Sequence, residues 1–309
     1  MNTFSLFSLL EQLMNGVGFG LILFLMATGL TIVFGVMDTM NLAHGSLFML
    51  GGYFAATAYS LTQSFVLAVL VAVILTVLAG ALLEVALMRR LYTRKHMNQV
   101  VATLGVIFIC NDLVKYVWGP APVLAATPAA LSGPVRLFGS FEYPAFRLLI
   151  IVVGIALAVL LYLIMTHTKL GMLVRAGASN RSMTQLMGIR VRLVFTCVFL
   201  LGAALAGLGG ALMGPLASVQ MGMGESIMIP ALVVIVIGGI GSIRGAFIAA
   251  LMIGVLDTAG RAFIPSLIAR ISSPVVAADV GPALASVLTY VLMIGVLSCK
   301  PSGLFPARG

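Results

Sequence analysis

Charge is what this 309-residue chain has least of: 17 Lys and Arg, 8 Asp and Glu, 8% in all, against 61% hydrophobic residues. Soluble domains carry about 25% charged residues, so a water-exposed surface of this size could not be covered. With a mean hydropathy of +1.20, the composition is that of a polytopic membrane protein. Cysteine is also scarce. Cys110, Cys197 and Cys299 sit in or beside apolar runs without CxxC spacing, which argues against a disulfide frame or a zinc site. Three isolated histidines, His44, His96 and His167, offer no metal pair, and neither GxSxG nor HExxH occurs. No cofactor and no catalytic residue is expected. The four lysines, Lys95, Lys115, Lys169 and Lys300, never follow the glycines of a Walker A loop, so ATP would be bound by another chain. The net charge of +9 is spread between apolar runs rather than pooled, a pattern of topology and not of nucleic-acid binding.

The apolar runs come next. Segments of about 20 residues suit a bilayer, and nine candidates lie near 13–36, 42–62, 64–88, 99–118, 145–166, 193–216, 227–243, 245–264 and 282–299. The 227–243 run is short enough to be a re-entrant or broken helix, so eight or nine spans are expected in an all-α transmembrane bundle. The runs are too continuously apolar for barrel strands. The first basic residue is Arg89, which leaves no basic region for a cleaved signal peptide and makes the first run a retained span. Loop charges set the orientation. One set of connections holds Arg89, Arg90, Arg94, Lys95, Lys169, Arg175, Arg181, Arg190, Arg192, Arg244, Lys300 and Arg308, with Asp38 as its main acid. The other holds Lys115, Arg136, Arg147, Arg261 and Arg270 beside Glu11, Asp112, Glu142, Glu225 and Asp279. The first set is expected in the cytoplasm, with the C-terminus inside and, for nine crossings, the N-terminus outside.

Small residues mark packing surfaces. Gly202, Ala206, Gly210 and Gly214 form one ridge, and Gly16 and Gly20 another, suited to packing inside the bundle or to a subunit contact. Charges at membrane depth invite a role or a partner. Asp257 and Arg261, Asp112 and Lys115, and Glu84 with Arg89 are spaced to pair locally. Asp38, Glu84 and Asp257 would be the proton sites of an ion-coupled carrier. Two segments break the apolar pattern: Asp38, Thr39, Asn41, His44 and Ser46 cluster between two spans with Gly45, and 238–245 carries Gly238, Gly239 and Gly241. Asn41, His44, Gly45, Gly238, Gly239 and Gly241 are candidate path residues, because irregular backbone at membrane depth must be buried in protein or line a watery cavity. Plain cytoplasmic turns are the alternative.

The loop 167–192 is expected to carry one short amphipathic helix over 172–187, bracketed by Gly171 and Gly188. Arg175, Ser179, Arg181, Ser182 and Gln185 make its polar side, and Leu173, Val174, Met183, Leu186 and Met187 its apolar side. Such a helix lies on headgroups or docks in a partner's groove.

The run 171–189, GMLVRAGASNRSMTQLMGI, resembles the coupling loop of LivH-type permeases, the H subunits of branched-chain amino acid ABC importers. Further resemblances are TIVFG at 31–35, NLAHG at 41–45, VIGGIGSIRG at 236–245 and KPSGLF at 300–305, in order along nearly the whole chain; Gln185 departs from the small residue usual there. The resemblance implies a single transmembrane permease domain over 1–309 in the bacterial inner membrane, without an ATPase site of its own. Its partners would be an M-type permease subunit, two cytoplasmic ATP-binding subunits and a periplasmic substrate-binding protein that carries selectivity. Branched-chain amino acids are the implied cargo, and relatives serve urea, amides or aromatic acids. Gly171, Arg175, Ala176, Asn180, Gln185, Gly188 and Ile189 are the implied coupling residues. An ion-coupled carrier and a non-transporting membrane scaffold remain as other readings.

Overall fold

A computed structural model describes residues 6–37, 39–92, 94–138 and 141–305. Among these residues nine long helices stand where nine apolar runs were expected: α1 (Leu6–Met37), α2 (His44–Thr62), α3 (Phe65–Leu83), α5 (His96–Trp118), α6 (Ala145–His167), α9 (Val191–Met213), α10 (Met223–Gly238), α11 (Ile243–Ile268) and α12 (Pro274–Cys299). A π turn (Glu84–Met88) and a last turn, α4 (Arg89–Leu91), extend α3, while α7 (Lys169–Ser179) and α8 (Arg181–Leu186) lie between α6 and α9. The protein is a multi-pass membrane protein in which, among the described residues, seven helices are long and apolar enough to cross a bilayer. α2 and α10 are not among them. α10 has 16 residues, about 24 Å at 1.5 Å per residue, short of a hydrocarbon core of about 30 Å. α2, with His44, three glycines and several hydroxyls, is less apolar than a lipid-facing span needs to be and is enclosed by protein, His44 to Tyr53 being continuously buried.

Where helices meet, they meet backbone to backbone. A methyl on Gly16 would stand 2.6 Å from Val255 Cα, one on Gly20 2.7 Å from the Ala250 carbonyl, and one on Gly254 would collide with Gly16. This seam joins α1 to α11. On α9, Gly202 faces Gly29 of α1, Gly207 faces Thr76 of α3 and Gly210 faces the Phe48 carbonyl of α2. The ridge of small residues on α9 therefore packs inside the bundle. Lipid supplies no hydrophobic drive between helices, so close approach and dispersion must do the work.

Three expectations change. Residues 134–144, expected as loop, form an antiparallel hairpin of β1 (Pro134–Phe138) and β2 (Phe141–Pro144), pairing Val135 with Tyr143 and Arg136 with Glu142. Alternation around a Gly-Ser pair carried that signal. Several charges assigned to loops sit in helices instead: Asp112 and Lys115 in α5, Arg147 in α6, Glu225 in α10, Arg261 in α11 and Asp279 in α12. Among the described residues no ion pair joins Asp112 to Lys115, both of which face outward. The other two local pairs form, Arg261 Nε to Asp257 Oδ2 at 2.8 Å and Arg89 Nε to Glu84 at 2.9 Å. Asp38 and Arg308 lie outside the described residues.

The seam predicts a contrast. Gly254→Val should overpack α1 against α11, a change costing about 1–3 kcal/mol or more, whereas Gly295→Val projects into open space and should be neutral. Thermal melting of the detergent-purified variants measures both; equal melting would remove the seam from the list of fold determinants.

Candidate functional site

The connection between α1 and α2 is not a turn at the membrane edge. His44 sits against Gly29, where a Cβ would stand 2.8 Å from its Nε2, and Gly202 closes the other side of the ring. Gly29 lies eight residues before the end of α1, so α2 starts about 12 Å inside that end. Residues 39–43 fold back along the bundle, and α5 satisfies them. Gln99 Oε1 accepts from Met40 N at 3.1 Å and Thr103 Oγ1 from Leu42 N at 3.4 Å. The Gln99 amide also donates to the Leu91 and Arg94 carbonyls, both at 3.1 Å. One buried side chain therefore serves three backbone groups that lipid would leave unpaired.

α10 starts at the same place. A Cβ on Gly45 would stand 2.5 Å from the Gly224 carbonyl, so the first turns of α2 and α10 touch. The chain reaches this point from above through 214–222, whose Val219 is fully buried and bridges Val123 with hydrogen bonds of 2.8 and 2.9 Å. Gly222, at φ +83°, makes the turn into α10. Two half-buried helices thus bring their N-termini, the positive ends of their dipoles, together inside the protein. Glu225 in the first turn of α10 takes a 2.5 Å hydrogen bond from the Asn111 amide of α5.

The polar groups around this junction are mostly unsatisfied. Both side-chain polar atoms of Asn41 lack partners, as do the Thr28, Thr31 and Thr39 hydroxyls and His44 Nε2, while Asn41 and His44 are each only 1% exposed. The His44 ring keeps one hydrogen bond, to the Met26 carbonyl. Leaving such groups unpaired costs about 1–3 kcal/mol each, and their concentration at one helix junction marks it out. Thr28, Thr31, Asn111 and Glu225 were not singled out as site residues, because nothing in the sequence shows that they face Asn41 and His44; the Gly222, Gly224, Glu225 string was the legible sign of a helix start.

The other three path candidates lie elsewhere. Gly238 packs on Gly245, Gly241 on Gly35, and Gly239 on Gly303, with Gly239 and Gly241 at φ +98° and +81°. The tail then seals the end of α10, Leu304 N donating to the Ile237 carbonyl at 2.8 Å and Phe305 N to Gly238 at 3.1 Å. Backbone fills this break on every side.

The segment 167–192 is two helices, not one. Asn180, in extended backbone, ends α7 and caps α8, its Oδ1 accepting from Met183 N at 2.9 Å. Thr184 Oγ1 ties the two together through the Ala176 and Asn180 carbonyls, at 3.0 and 2.8 Å. Gly171 does not bracket the helix; it lies inside α7, buried against the Met165 carbonyl, to which Arg175 also donates. Arg175 and Asn180 are thus used within the chain. Ala176 is half-buried at the α7–α8 junction, Ile189 packs on the core, and Gln185 and Gly188 face out, Gly188 at φ +81°. The expected apolar face also divides: Val174 is buried, Leu173 is partly buried, and Met183, Leu186 and Met187 are 57, 83 and 75% exposed, joined by Met172 at 57%.

A family model described as the branched-chain amino acid transport system permease component matches residues 12–297. The chain belongs to this family of transport permeases. BraD of Pseudomonas aeruginosa, a high-affinity branched-chain amino acid transport system permease protein, is 30% identical over 96% of this chain and 95% of its own length. LivH of Salmonella typhimurium is 26% identical over 96% and 94%, and a probable LivH of Methanocaldococcus jannaschii 28% over 77% and 76%. No solved structure matches the chain.

For this permease, Gln99→Leu should release the 39–43 segment. It removes the partner of the Met40 N–H and of the Arg94 carbonyl, while the Leu91 carbonyl keeps its bond from Arg94 N, and should lower stability by about 1–3 kcal/mol. Gln63→Leu at the exposed end of α2 should cost little. Melting of both variants in detergent is the measurement, and an unchanged Gln99→Leu would show that the segment needs no support from α5.

Proposed function

We propose that this permease is a translocating subunit of an ATP-driven importer of branched-chain amino acids in the bacterial inner membrane. Its partners are a second permease subunit of the M type, two cytoplasmic ATP-binding subunits and a periplasmic substrate-binding protein. The names of its relatives support the cargo, and urea, amides and aromatic acids fall within the same reading. The observation that carries it is the α7–α8 unit: it is tied together by Thr184 and fixed to α6 through Arg175 and Gly171, yet presents Met172, Met183, Leu186 and Met187 outward. A rigid, methionine-rich apolar surface suits a groove in a partner protein. In this reading α2 and α10 are protein-enclosed spans that cross with the other seven, which gives nine passes, the N-terminus outside and the C-terminus inside. Asn41, His44 and Gly45 line or support the path; the 238–241 break is the cytoplasmic hinge beside it.

An ion-coupled carrier fits the acids less well. Glu84 is held by Arg89, by Tyr92 at 3.3 Å and by Thr196 at 3.0 Å, and Asp257 is held by Arg261. Each carboxylate is already engaged by an arginine of its own segment, which leaves neither facing a path as an unpaired acid.

Docking is tested at Leu186, because Ala176 is half-buried and Ala176→Trp would also disturb the Thr184 tie. Leu186→Asp places a charge on the exposed surface without touching the core. It should leave the permease folded, weaken co-purification of the ATP-binding subunits about tenfold or more, and abolish uptake in proteoliposomes. Normal binding with normal uptake would reject the coupling assignment.

Topology is tested with single cysteines at Ser132 and Gln185 in a background lacking Cys110, Cys197 and Cys299. An impermeant thiol reagent should label Ser132→Cys in intact cells and Gln185→Cys only after lysis; the reverse pattern would invert the orientation. For the path, Asn41→Ala removes two polar atoms that make no hydrogen bond, so the complex should assemble with unimpaired stability while uptake falls at least about tenfold. Uptake at the unmutated level would reduce Asn41 to a structural residue.

A further inference from the structure

At the end of the bundle where α1 begins, a cleft of about 580 Å³ opens over α1, with α6 on one wall and α11 on the other. Its floor is apolar, from Phe19, Ile150, Met213 and Leu216. Its charges are Arg147 on one side and Asp257 with Arg261 on the other. Asp257 and Arg261 neutralise each other at 2.8 Å, and Arg261 also reaches Ser286 Oγ at 3.3 Å. Among the described residues Arg147 has no such partner. Its Nη1 donates to Asn15 Oδ1 at 2.6 Å, an amide oxygen that also accepts from the Tyr143 hydroxyl at 3.0 Å. The acids nearby are otherwise disposed: Glu142 pairs with Arg136 at 2.9 Å, and Glu11 forms no ion pair with Arg147 but stands towards the Tyr143 phenol. Burial above all pushes that phenol up to about 12, so it stays a donor. Two arginines and one aspartate leave the lining with one net positive charge.

The depth of these groups says what can meet that charge. Arg147 is two residues into α6 and Arg261 seven residues from the end of α11, about 3 and 10 Å along their helices. α11, at 26 residues and about 39 Å, overshoots a hydrocarbon core of about 30 Å. Both guanidinium groups therefore stand at or just below headgroup level, over an apolar floor. Beyond the cleft, α1 turns Leu10 and Leu13 outward, as a lipid-facing surface would.

We propose that this cleft is a phospholipid site, with the lipid phosphodiester on Arg147 and Asn15 and its chains along Phe19, Ile150, Met213 and Leu216. A phosphodiester carries one negative charge, matches a guanidinium through charge-assisted hydrogen bonds, and brings its own apolar body. A free amino acid is zwitterionic, so it would leave the lining charged and would have to part Asp257 from Arg261. The site depends neither on the transport reading nor on which leaflet this end faces.

The full-length permease, purified with its accompanying subunits in a detergent that strips bulk lipid, tests this by native mass spectrometry and by titration with phosphatidylglycerol. A retained phospholipid is expected, with affinity lowered at least about tenfold in Arg147→Gln. Leu216→Trp, which fills the floor from a half-exposed position and keeps every charge, should displace the lipid as well; it guards against a folding defect in the first variant. Arg136→Gln, on the hairpin outside the cleft, should retain it. Equal retention in Arg147→Gln and Leu216→Trp overturns the proposal. So does displacement of the lipid by free leucine, or cross-linking of a cysteine at Leu216 to the other permease subunit in native membranes, since each puts a different occupant in the cleft.

Discussion

Backbone N–H and C=O groups cannot face hydrocarbon unpaired, and two of the nine long helices in this chain begin inside the bundle. Everything around α2 and α10 answers that constraint. Their first turns touch at Gly45 and Gly224, the 39–43 backbone leans on Gln99 and Thr103, the descending 214–222 segment is bridged at Val123, and the far end of α10 is sealed by Leu304 and Phe305. The seven apolar helices then act as the wall that keeps lipid from these ends. The glycine seams follow from the same need, because helices that must exclude both lipid and water from a broken interior have to approach at backbone distance, and a single Cβ at Gly16, Gly20 or Gly210 would hold them apart.

The same constraint decides what the sequence could disclose. Length and continuous apolarity revealed all nine helices, since a bilayer tolerates little else, and i,i+4 spacing revealed the Asp257–Arg261 pair. Boundaries were less legible: α12 starts at Pro274 rather than near 282, because Ser273 and a proline in the first turn make a helix start that hydropathy does not register. The depth of Asn41 and His44 was hidden altogether. A polar cluster between two apolar runs reads the same whether it caps a turn in water or folds back by about 12 Å, and only the fit of the imidazole between Gly29 and Gly202 distinguishes them. The break between α7 and α8 was readable in principle, for Asn180 is an N-cap residue followed by a short helix, but an amphipathic pattern across 172–187 runs through it without interruption.

Charge is distributed with similar economy. At the end of the bundle where α1 finishes, Glu84 is wholly buried in a π turn, and Arg89, Tyr92 and Thr196 converge on it. A buried carboxylate with a paired guanidinium and two hydroxyl donors is satisfied, and removing one partner would cost more than the pair contributes. This network joins the end of α3 to the second turn of α9, on the flank where α9 receives the chain from α8. At the same end, Arg244 lies over the Tyr162 ring, 5.2 Å from its centre, and donates to its hydroxyl at 2.9 Å, joining α11 to α6. Polar bonds thus tie this rim together, while close-packed glycines and apolar side chains hold the interior.

That arrangement bears on how motion at α8 would reach the α2–α10 junction. α8 is bound to α7 by Thr184, α7 to the last turn of α6 by Arg175, and Gly177 of α7 lies against Val36 of α1, where a Cβ would stand 3.8 Å from Val36 Cγ1. Val36 is near the end of α1, which continues into the 39–43 segment and hence to Asn41 and His44. A displacement of the exposed methionine-rich surface therefore has a short mechanical route, α8 to α7 to the end of α1, into a segment whose side chains are buried without partners. Packed interiors transmit strain because they have no slack. A cluster of unpaired polar groups is, in turn, the part of the interior with least to lose by rearranging: Asn41 and Thr39 would exchange no existing side-chain hydrogen bond for new ones. The contacts at Gly29, Gly45 and Gly224 set the limits of that rearrangement, since backbone already fills the space into which the junction would otherwise collapse.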